Sequence, residues 1–265
     1  MVCFPGCKIN IGLYITNKRA DGYHDLETVF YPVAFNDVLE ITLAETSDIH
    51  LLGKTIEGNK HNNLVWKAYQ LLKQHHPQIP NLDIHLLKNI PMGAGLGGGS
   101  ADGAFMLRLL NEYCQLGIGK QQLIEYALQL GSDCPFFIEN TPQFATGRGE
   151  LMSPISIDLS AYSIQLICPS VHVSTAAAFK AITPKPAAFD LRKLPEVPID
   201  RWVEYVSNDF EEPVFIQYPE LAAIKQQLYD AGAVYAAMSG SGSTLYGIFK
   251  KGERAATSFP NYYIQ

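Results

Sequence analysis

Pro91-Met92-Gly93-Ala94-Gly95-Leu96-Gly97-Gly98-Gly99-Ser100-Ala101 lies between an alternating strand-like stretch and an apolar run, and five of the chain's 21 glycines fall within seven of its positions. Glycine loses more backbone freedom on folding than any other residue, and the usual compensation is a positive φ or close approach of the main chain to a ligand. Bare N–H groups leading into a helix start supply both, because the first-turn donors are unpaired and the helix dipole is positive there. The segment is therefore read as an anion-binding loop; flexible linkers mix glycine with polar residues instead. Gly93 to Gly98 satisfies G-x-G-x-x-G, but Pro91 breaks the direct strand-to-turn passage, and Gly117-Ile118-Gly119-Lys120 puts no carboxylate where a dinucleotide fingerprint needs one. A Walker A loop ends in Gly-Lys-Ser/Thr, whereas this one closes Gly99-Ser100-Ala101-Asp102. What remains is a phosphate loop of another kind, in which Ser100 either caps the helix or faces a phosphate or its metal.

Outward from the loop, strand and helix patterns interleave. Leu82, Ile84 and Leu86 alternate with Asp83 and His85, a half-buried strand that delivers the chain to Pro91. After Ser100, Phe105, Met106, Leu107, Leu109 and Leu110 predict a central buried helix. Asn62-Asn63 predicts a cap for a helix over residues 64–73, and residues 121–130 predict another, stopped by Gly131. Residues 29–33 and 38–43 read as strands joined by a hairpin turn at Asn36-Asp37. Residues 163–168 predict a strand, 184–200 a proline-rich irregular connection, and 221–231 a helix stopped by Gly232. A change of character near Met152-Ser153-Pro154, after the Gly147-Arg148-Gly149 turn, places a soft boundary between domains at 1–152 and 153–265.

Several polar groups stand out against this frame. Lys8 and Asn10, two apart on the apolar run 9–15, project from one strand face and suit a phosphate or hydroxyl, or form an exposed edge pair. Asp133, in Gly131-Ser132-Asp133-Cys134-Pro135-Phe136-Phe137, is a helix cap or a general base held among apolar neighbours. Asp21-Gly22-Tyr23-His24 is a turn, with its two rings covering surface or stacking on a base. Met238-Ser239-Gly240-Ser241-Gly242-Ser243-Thr244, between two apolar runs, is a hairpin turn or a second main-chain surface near the phosphates. Asp102 reads as an acidic residue favouring the helix dipole.

Composition sets the surroundings. With 265 residues, 47% hydrophobic and 17% charged, the chain can bury a large core. A net charge of −6 and scattered basic residues disfavour a nucleic-acid surface. Apolar runs are too short to span a membrane and the first residues lack the pattern of a signal peptide, so a cytoplasmic protein is expected. Cysteines 3, 7, 114, 134 and 168 show no metal spacing and are expected reduced and mostly buried.

Taken together, Lys8-Ile9-Asn10 with Leu13, Arg19-Ala20-Asp21-Gly22-Tyr23-His24, Pro91 to Ala101, Gly131-Ser132-Asp133 with Pro135-Phe136-Phe137, Gly147 to Glu150 and Met238 to Thr244 resemble the GHMP kinases in order and spacing. The resemblance implies an α+β, two-lobed GHMP kinase fold, with a ribosomal-S5-like N-terminal lobe and a ferredoxin-like C-terminal lobe. It implies ATP as co-substrate with Mg2+, the ion held mainly by nucleotide oxygens and water, with its protein ligands left open. Residues Pro91, Met92, Gly93, Ala94, Gly95, Leu96, Gly97, Gly98, Gly99, Ser100 and Ala101 would hold the nucleotide. The Asp-Gly-Tyr-His block is similar to that of the branch, in non-mevalonate isoprenoid synthesis, whose small-molecule substrate carries a cytidine diphosphate group.

By the same resemblance Asp133 would take the proton of the acceptor hydroxyl, Lys8 would hold Asp133 and the transferring phosphoryl group, and Asn10 would orient the substrate. Tyr23 and His24 would grip cytosine, with Phe179 on its other face. No nucleic-acid or membrane partner is expected, and the chain would act as a monomer or homodimer. A GHMP kinase for another small alcohol, of homoserine or mevalonate type, or a non-catalytic nucleotide-binding relative would lack Asp-Gly-Tyr-His, or Asp133 or Lys8, respectively. The chain departs from the family at Cys7, where a small alanine usually precedes the lysine.

Overall fold

The computed structural model describes residues 1–56, 58–253 and 262–264, the last three by backbone path alone. The strands are β1 (Val2–Cys3), β2 (Gly6–Lys18), β3 (His24–Asn36), β4 (Val38–Leu43), β5 (Asp48–Gly53), β6 (Leu82–Lys88), β7 (Gln143–Thr146), β8 (Leu151–Pro154), β9 (Tyr162–Ile167), β10 (Tyr235–Met238), β11 (Leu245–Lys250) and β12 (Tyr262–Ile264). The α-helices are α1 (Leu64–His75), α2 (Gly98–Tyr113), α3 (Lys120–Leu130), α4 (Cys134–Glu139), α5 (Thr175–Lys180), α6 (Trp202–Tyr205), α7 (Glu211–Gln217) and α8 (Pro219–Asp230). They form two compact units that interleave along the chain.

One unit comprises residues 1–7, 34–92 and 97–141. Its sheet runs β1-β4-β6-β5, with β5 parallel to β6 and the other pairs antiparallel. The β6 alternation is as expected: Leu82, Ile84 and Leu86 are fully buried, and Asp83 and His85 lie on the other face. Helix α1 begins where Asn63 accepts a hydrogen bond from the Val65 N–H. Helix α2 is central, with Ala101, Ala104, Met106, Leu107 and Leu110 fully buried. At Gly103 a Cβ would stand 3.0 Å from that of Leu64, so glycine lets α1 pack closely against α2. Gly131 follows α3 as its cap, and α4 packs on α2 and α3.

The other unit comprises residues 8–33, 93–96 and 142–265. The hairpin β10–β11 forms as read from the sequence, and β9 pairs with both β11 and β12 in the antiparallel order β10-β11-β9-β12. Helix α8 covers β10 and β11 through Leu221 and Leu228, in a core that includes Phe210, Ala236, Met238, Leu245 and Phe249. A further sheet runs β2-β3-β7-β8, and residues 147–150 form the turn of the β7–β8 hairpin. The irregular connection carries two short 3-10 turns, Leu191–Glu196 and Ile199–Arg201.

One expectation about the strand connections fails. Asn36-Asp37 does not close a hairpin, since β3 and β4 belong to different sheets. Asp37 is fully buried instead, accepting hydrogen bonds from the N–H groups of Asn89 (2.6 Å) and Ile90 (2.8 Å) and pairing with Lys88. A turn aspartate would keep its carboxylate in water; this one ties the chain to the end of β6. Three of the five cysteines, Cys7, Cys134 and Cys168, are buried, and burial pushes the Cys134 thiol up to about 12. Among the described residues no helix is long and apolar enough to cross a membrane.

Candidate active site

The glycine loop begins where β6 ends. Gly93, Gly95 and Gly97 have φ of +66°, +80° and +68°, a region that L side chains rarely adopt, which explains their spacing. Gly97 is the N-cap of α2 and offers no side chain, so no side-chain acceptor closes the helix start. The sequence reading of Ser100 as a cap is corrected here: the helix starts at Gly98 and Ser100 is already its third residue. The N–H groups of Gly98, Gly99 and Ser100 therefore form the first turn of a 16-residue helix, with the donors and dipole that suit an anion.

Residues 93–96 are held from below by the second unit's own residues. The Lys8 N–H donates to Leu96 O (2.9 Å) and its Nζ to Gly95 O (3.1 Å). The Ser239 hydroxyl also donates to Gly95 O (2.9 Å), and the Thr244 N–H to Ala94 O (3.1 Å). A Cβ on Gly95 would fall 2.0 Å from Ser239 O, so the 238–244 turn and the loop touch main chain to main chain. The turn is thus both a hairpin and a second backbone surface beside the loop.

Lys8 and Asn10 are buried, not an exposed edge pair. Lys8 Nζ donates to Asn10 Oδ1 (2.7 Å) and lies 5.0 Å from the Phe30 ring centre. Asn10 Nδ2 donates to Thr28 Oγ1 (2.9 Å), and Thr28 in turn donates to Gly12 O (2.6 Å). With both amide atoms engaged, Asn10 fixes the direction of the ammonium. Two residues missed in the sequence complete this cluster. Thr28 sits on β3, with no local signal beyond a polar residue at an inward position. Asn208 is buried and its Nδ2 donates to Met238 O and Gly240 O (2.8 Å each), holding the Ser239 turn in place.

In the first unit, Asp133 occupies the N-cap position of α4 but makes no capping hydrogen bond. The Ser100 hydroxyl hydrogen-bonds the Cys134 thiol, so the starts of α2 and α4 lie together and Asp133 neighbours the helix start of the loop. Beneath them is a charged cluster that the sequence reading missed. Lys88 Nζ donates to Asp102 Oδ2 (2.7 Å) and to Asp37, with all three side chains almost wholly buried. Asp102 does not sit in the first turn facing the dipole, as expected; it is the fifth residue of α2, turned inward. Its Oδ1 has no hydrogen-bond partner among the described residues. Burial pushes its carboxyl well above the usual range, with Lys88 opposing and Asp37 adding to the rise. A Cβ on Gly98 would stand 3.1 Å from Lys88 Nζ, so the cluster supports the helix start from within.

The 21–24 block is a tight turn. Arg19 pairs with Asp21 (2.9 Å), which lowers the Asp21 pKa, and Asp21 Oδ1 accepts from the Tyr23 N–H (3.1 Å). Tyr23 is exposed, with the Arg148 guanidinium 4.9 Å from its ring centre. His24 and Phe179 stack directly, centres 5.0 Å apart and planes 21° from parallel, and Phe210 meets Phe179 edge-on. The structure thus brings His24 and Phe179 together, with no room between them for a third ring.

The chain matches two family models, "GHMP kinases N terminal domain" over residues 63–140 and "GHMP kinases C terminal" over residues 199–264. It is 52% identical over 254 residues to the 4-diphosphocytidyl-2-C-methyl-D-erythritol kinase of Bacteroides thetaiotaomicron, covering 94% of this chain and 92% of that one. It is 35% identical to the kinase of the same name from Lawsonia intracellularis, over 93% of this chain and 87% of that one. A crystal structure of 4-(cytidine 5'-diphospho)-2C-methyl-D-erythritol kinase superposes with a TM-score of 0.81 at 29% identity, covering 100% and 98% of the two chains. The Methanococcus jannaschii mevalonate kinase, at 11% identity and a TM-score of 0.69, shares the fold. The α+β two-lobed architecture expected from the motifs is therefore borne out, and the chain belongs to the GHMP kinases, in the branch whose members carry the name 4-diphosphocytidyl-2-C-methyl-D-erythritol kinase.

Proposed function

We propose that this chain transfers the γ-phosphoryl group of ATP to the C2 hydroxyl of 4-diphosphocytidyl-2-C-methyl-D-erythritol, giving the 2-phosphate and ADP. The observation that carries the reading is the glycine loop, uncapped at its helix start and gripped at Gly95 by Lys8 and Ser239. Phosphoryl transfer asks for alignment and for donors around the equatorial oxygens, and a helix start plus one lysine offers both. Asp133 accepts the hydroxyl proton, the resulting alkoxide oxygen bonds to the γ-phosphorus, and the bond to the β–γ bridging oxygen breaks with ADP as the leaving group. Lys8 balances the charge that develops, and Asn10, itself held by Thr28, keeps that ammonium and the substrate in register.

Residues 91–101 hold the nucleotide phosphates in this reading. Mg2+ fits as an ion carried by the nucleotide: Ser100 and Asp133 offer it oxygen atoms, while Asp102 is committed to Lys88. When bound, Mg2+ neutralises phosphate charge. Cytosine stacks on the outer side of His24 beside Tyr23, with Phe179 backing His24. We keep residues 1–152 and 153–265 as the N-terminal and C-terminal lobes in the family's sense, with one matched family region on either side of the division.

ADP release with Mg-ATP, compared across the cytidyl substrate, homoserine and mevalonate, tests the reaction. Turnover is expected with the cytidyl substrate alone and a loss on the order of 10²–10⁴-fold in Asp133→Ala. Equal turnover on all three alcohols, or an unimpaired Asp133→Ala, overturns the assignment.

A further inference from the structure

On the face of β6 opposite Lys88, Asp83 and His85 stand two residues apart, and the parallel register sets His50 of β5 directly beside His85. The two imidazoles stack with centres 4.7 Å apart and planes 17° from parallel. The Asp83 carboxylate bridges them, with Oδ1 2.7 Å from His50 Nε2 and Oδ2 3.3 Å from His85 Nε2. One ligand atom from each of the three residues lies within 4.8 Å of the others, the one such cluster of His, Cys, Asp and Glu among the described residues. Their side chains are 43%, 34% and 37% exposed, open to an ion from solution without any unfolding.

We propose that His50, Asp83 and His85 form a binding site for a divalent transition metal of the zinc and nickel class, separate from the phosphoryl-transfer chemistry. Two neutral imidazoles and one carboxylate are a nitrogen-rich set that suits Zn2+, Ni2+ or Cu2+; Mg2+ and Ca2+ want oxygen alone. Metal bonds of about 2.0–2.2 Å require ligand atoms a little over 3 Å apart, close to the spacing already set by the carboxylate. Entry of the ion needs only a turn of each ring about its terminal torsion, a soft motion for histidine. The ion then takes the place of the hydrogen bond from His50 and of the closer approach of His85 to Asp83. Glu40 of β4 faces His85 across the ladder, so the row His50, His85, Glu40 spans three strands and offers a further carboxylate for the remaining position.

The location gives such a site a purpose. β5 is the edge strand of its sheet, and an ion shared between His50 and His85 staples that edge to β6. The same strand β6 ends in Lys88, which supports the start of α2. The site therefore stabilises the unit that carries the loop's helix.

Calorimetric titration of the full chain with Ni2+, in excess Mg2+, tests the proposal; nickel is the probe because zinc is also drawn to the free thiols. One equivalent is expected to bind, with affinity at least about tenfold weaker in His50→Gln and in His85→Gln and unchanged in His75→Gln on α1. Ni2+ should raise the wild-type melting temperature and leave that of the His50→Gln, His85→Gln double variant unmoved. In NMR spectra of the wild type, substoichiometric Ni2+ should broaden the His50 and His85 ring resonances before those of the other histidines, a readout that does not depend on any variant folding. Equal affinity in wild type and both Gln variants, or broadening that starts at other histidines, overturns the site.

Discussion

Lys8 and Lys88 are both removed from water, with 4% and 1% of their surface exposed, yet their surroundings assign them opposite tasks. Lys88 is clasped by Asp37, whose carboxylate neutralises its charge where it stands, and by Asp102, whose carboxyl burial pushes well above the usual range. Lys8 donates to Asn10 Oδ1 and to the carbonyl of Gly95, which aim its ammonium along the glycine loop. A buried cation locked between two buried acids is a structural element. One aimed by an amide and by the loop's own backbone is placed where a ligand of that loop would meet it.

The comparison can be broken most directly at Lys88. Lys88→Met leaves the buried Asp37 carboxylate without its cation and Asp102 without its donor, and the expected loss is about 3–5 kcal/mol in urea unfolding. If Lys88→Met folds as tightly as wild type and loses only turnover, Lys88 belongs to the chemistry. Lys8→Ala should do the reverse: a fall in kcat of roughly 10²–10³-fold, with a smaller shift in the unfolding midpoint than Lys88→Met. A change in KM for the cytidyl substrate alone would remove Lys8 from phosphoryl transfer.

Asp102→Asn sharpens the comparison through pH. Burial raises the Asp102 pKa in the folded state to about 8, against 3.8 for an ordinary aspartate, so the folded chain binds the extra proton between those values. Stability is therefore highest at the acid end of that window and falls as pH rises toward 8, where the charge is forced on the buried group. Asp102→Asn carries no titrating proton there, so its melting temperature should change less than wild type between pH 5 and pH 8 (roughly, the range of the linkage). Parallel curves would mean that the cluster's charge is settled elsewhere. The smallest effect is expected at the 21–24 turn proposed to bind cytosine: His24→Ala should raise KM for the cytidyl substrate about tenfold, equivalent to the upper range of one ring stack, and leave KM for ATP alone.

Much of this was legible locally. The glycine density of residues 93–99 announces positive φ or close main-chain approach because backbone geometry is a property of neighbours in sequence, and three of the five, Gly93, Gly95 and Gly97, have positive φ. Asn63 caps α1 and Gly131 ends α3 for the same reason. Lys8 and Asn10 were identified, but their burial was not, since a two-residue spacing gives a shared face and not what covers it. Asp37 was misread as a turn residue because its partners, Lys88 to Ile90, are more than fifty residues away. A signal did exist: Lys88 continues the inward parity of Leu82, Ile84 and Leu86, and a lysine at such a position demands a carboxylate. Asp102, inside an otherwise apolar helix, was the matching half.

The sequence by itself determined the loop, the strand and helix periodicities around it, the family and the short list of polar groups able to do chemistry. These depend on bond geometry and on residue types at fixed short spacings. Only the tertiary structure decided that Lys88 is locked between Asp37 and Asp102 while Lys8 is tied to the loop at Gly95, that Ser239 and Asn208 brace the loop, and that His24 stacks on Phe179. Those outcomes rest on contacts between residues tens to hundreds of positions apart, where a low-dielectric interior makes a few ångströms decide how strongly a charge is tied to its neighbours.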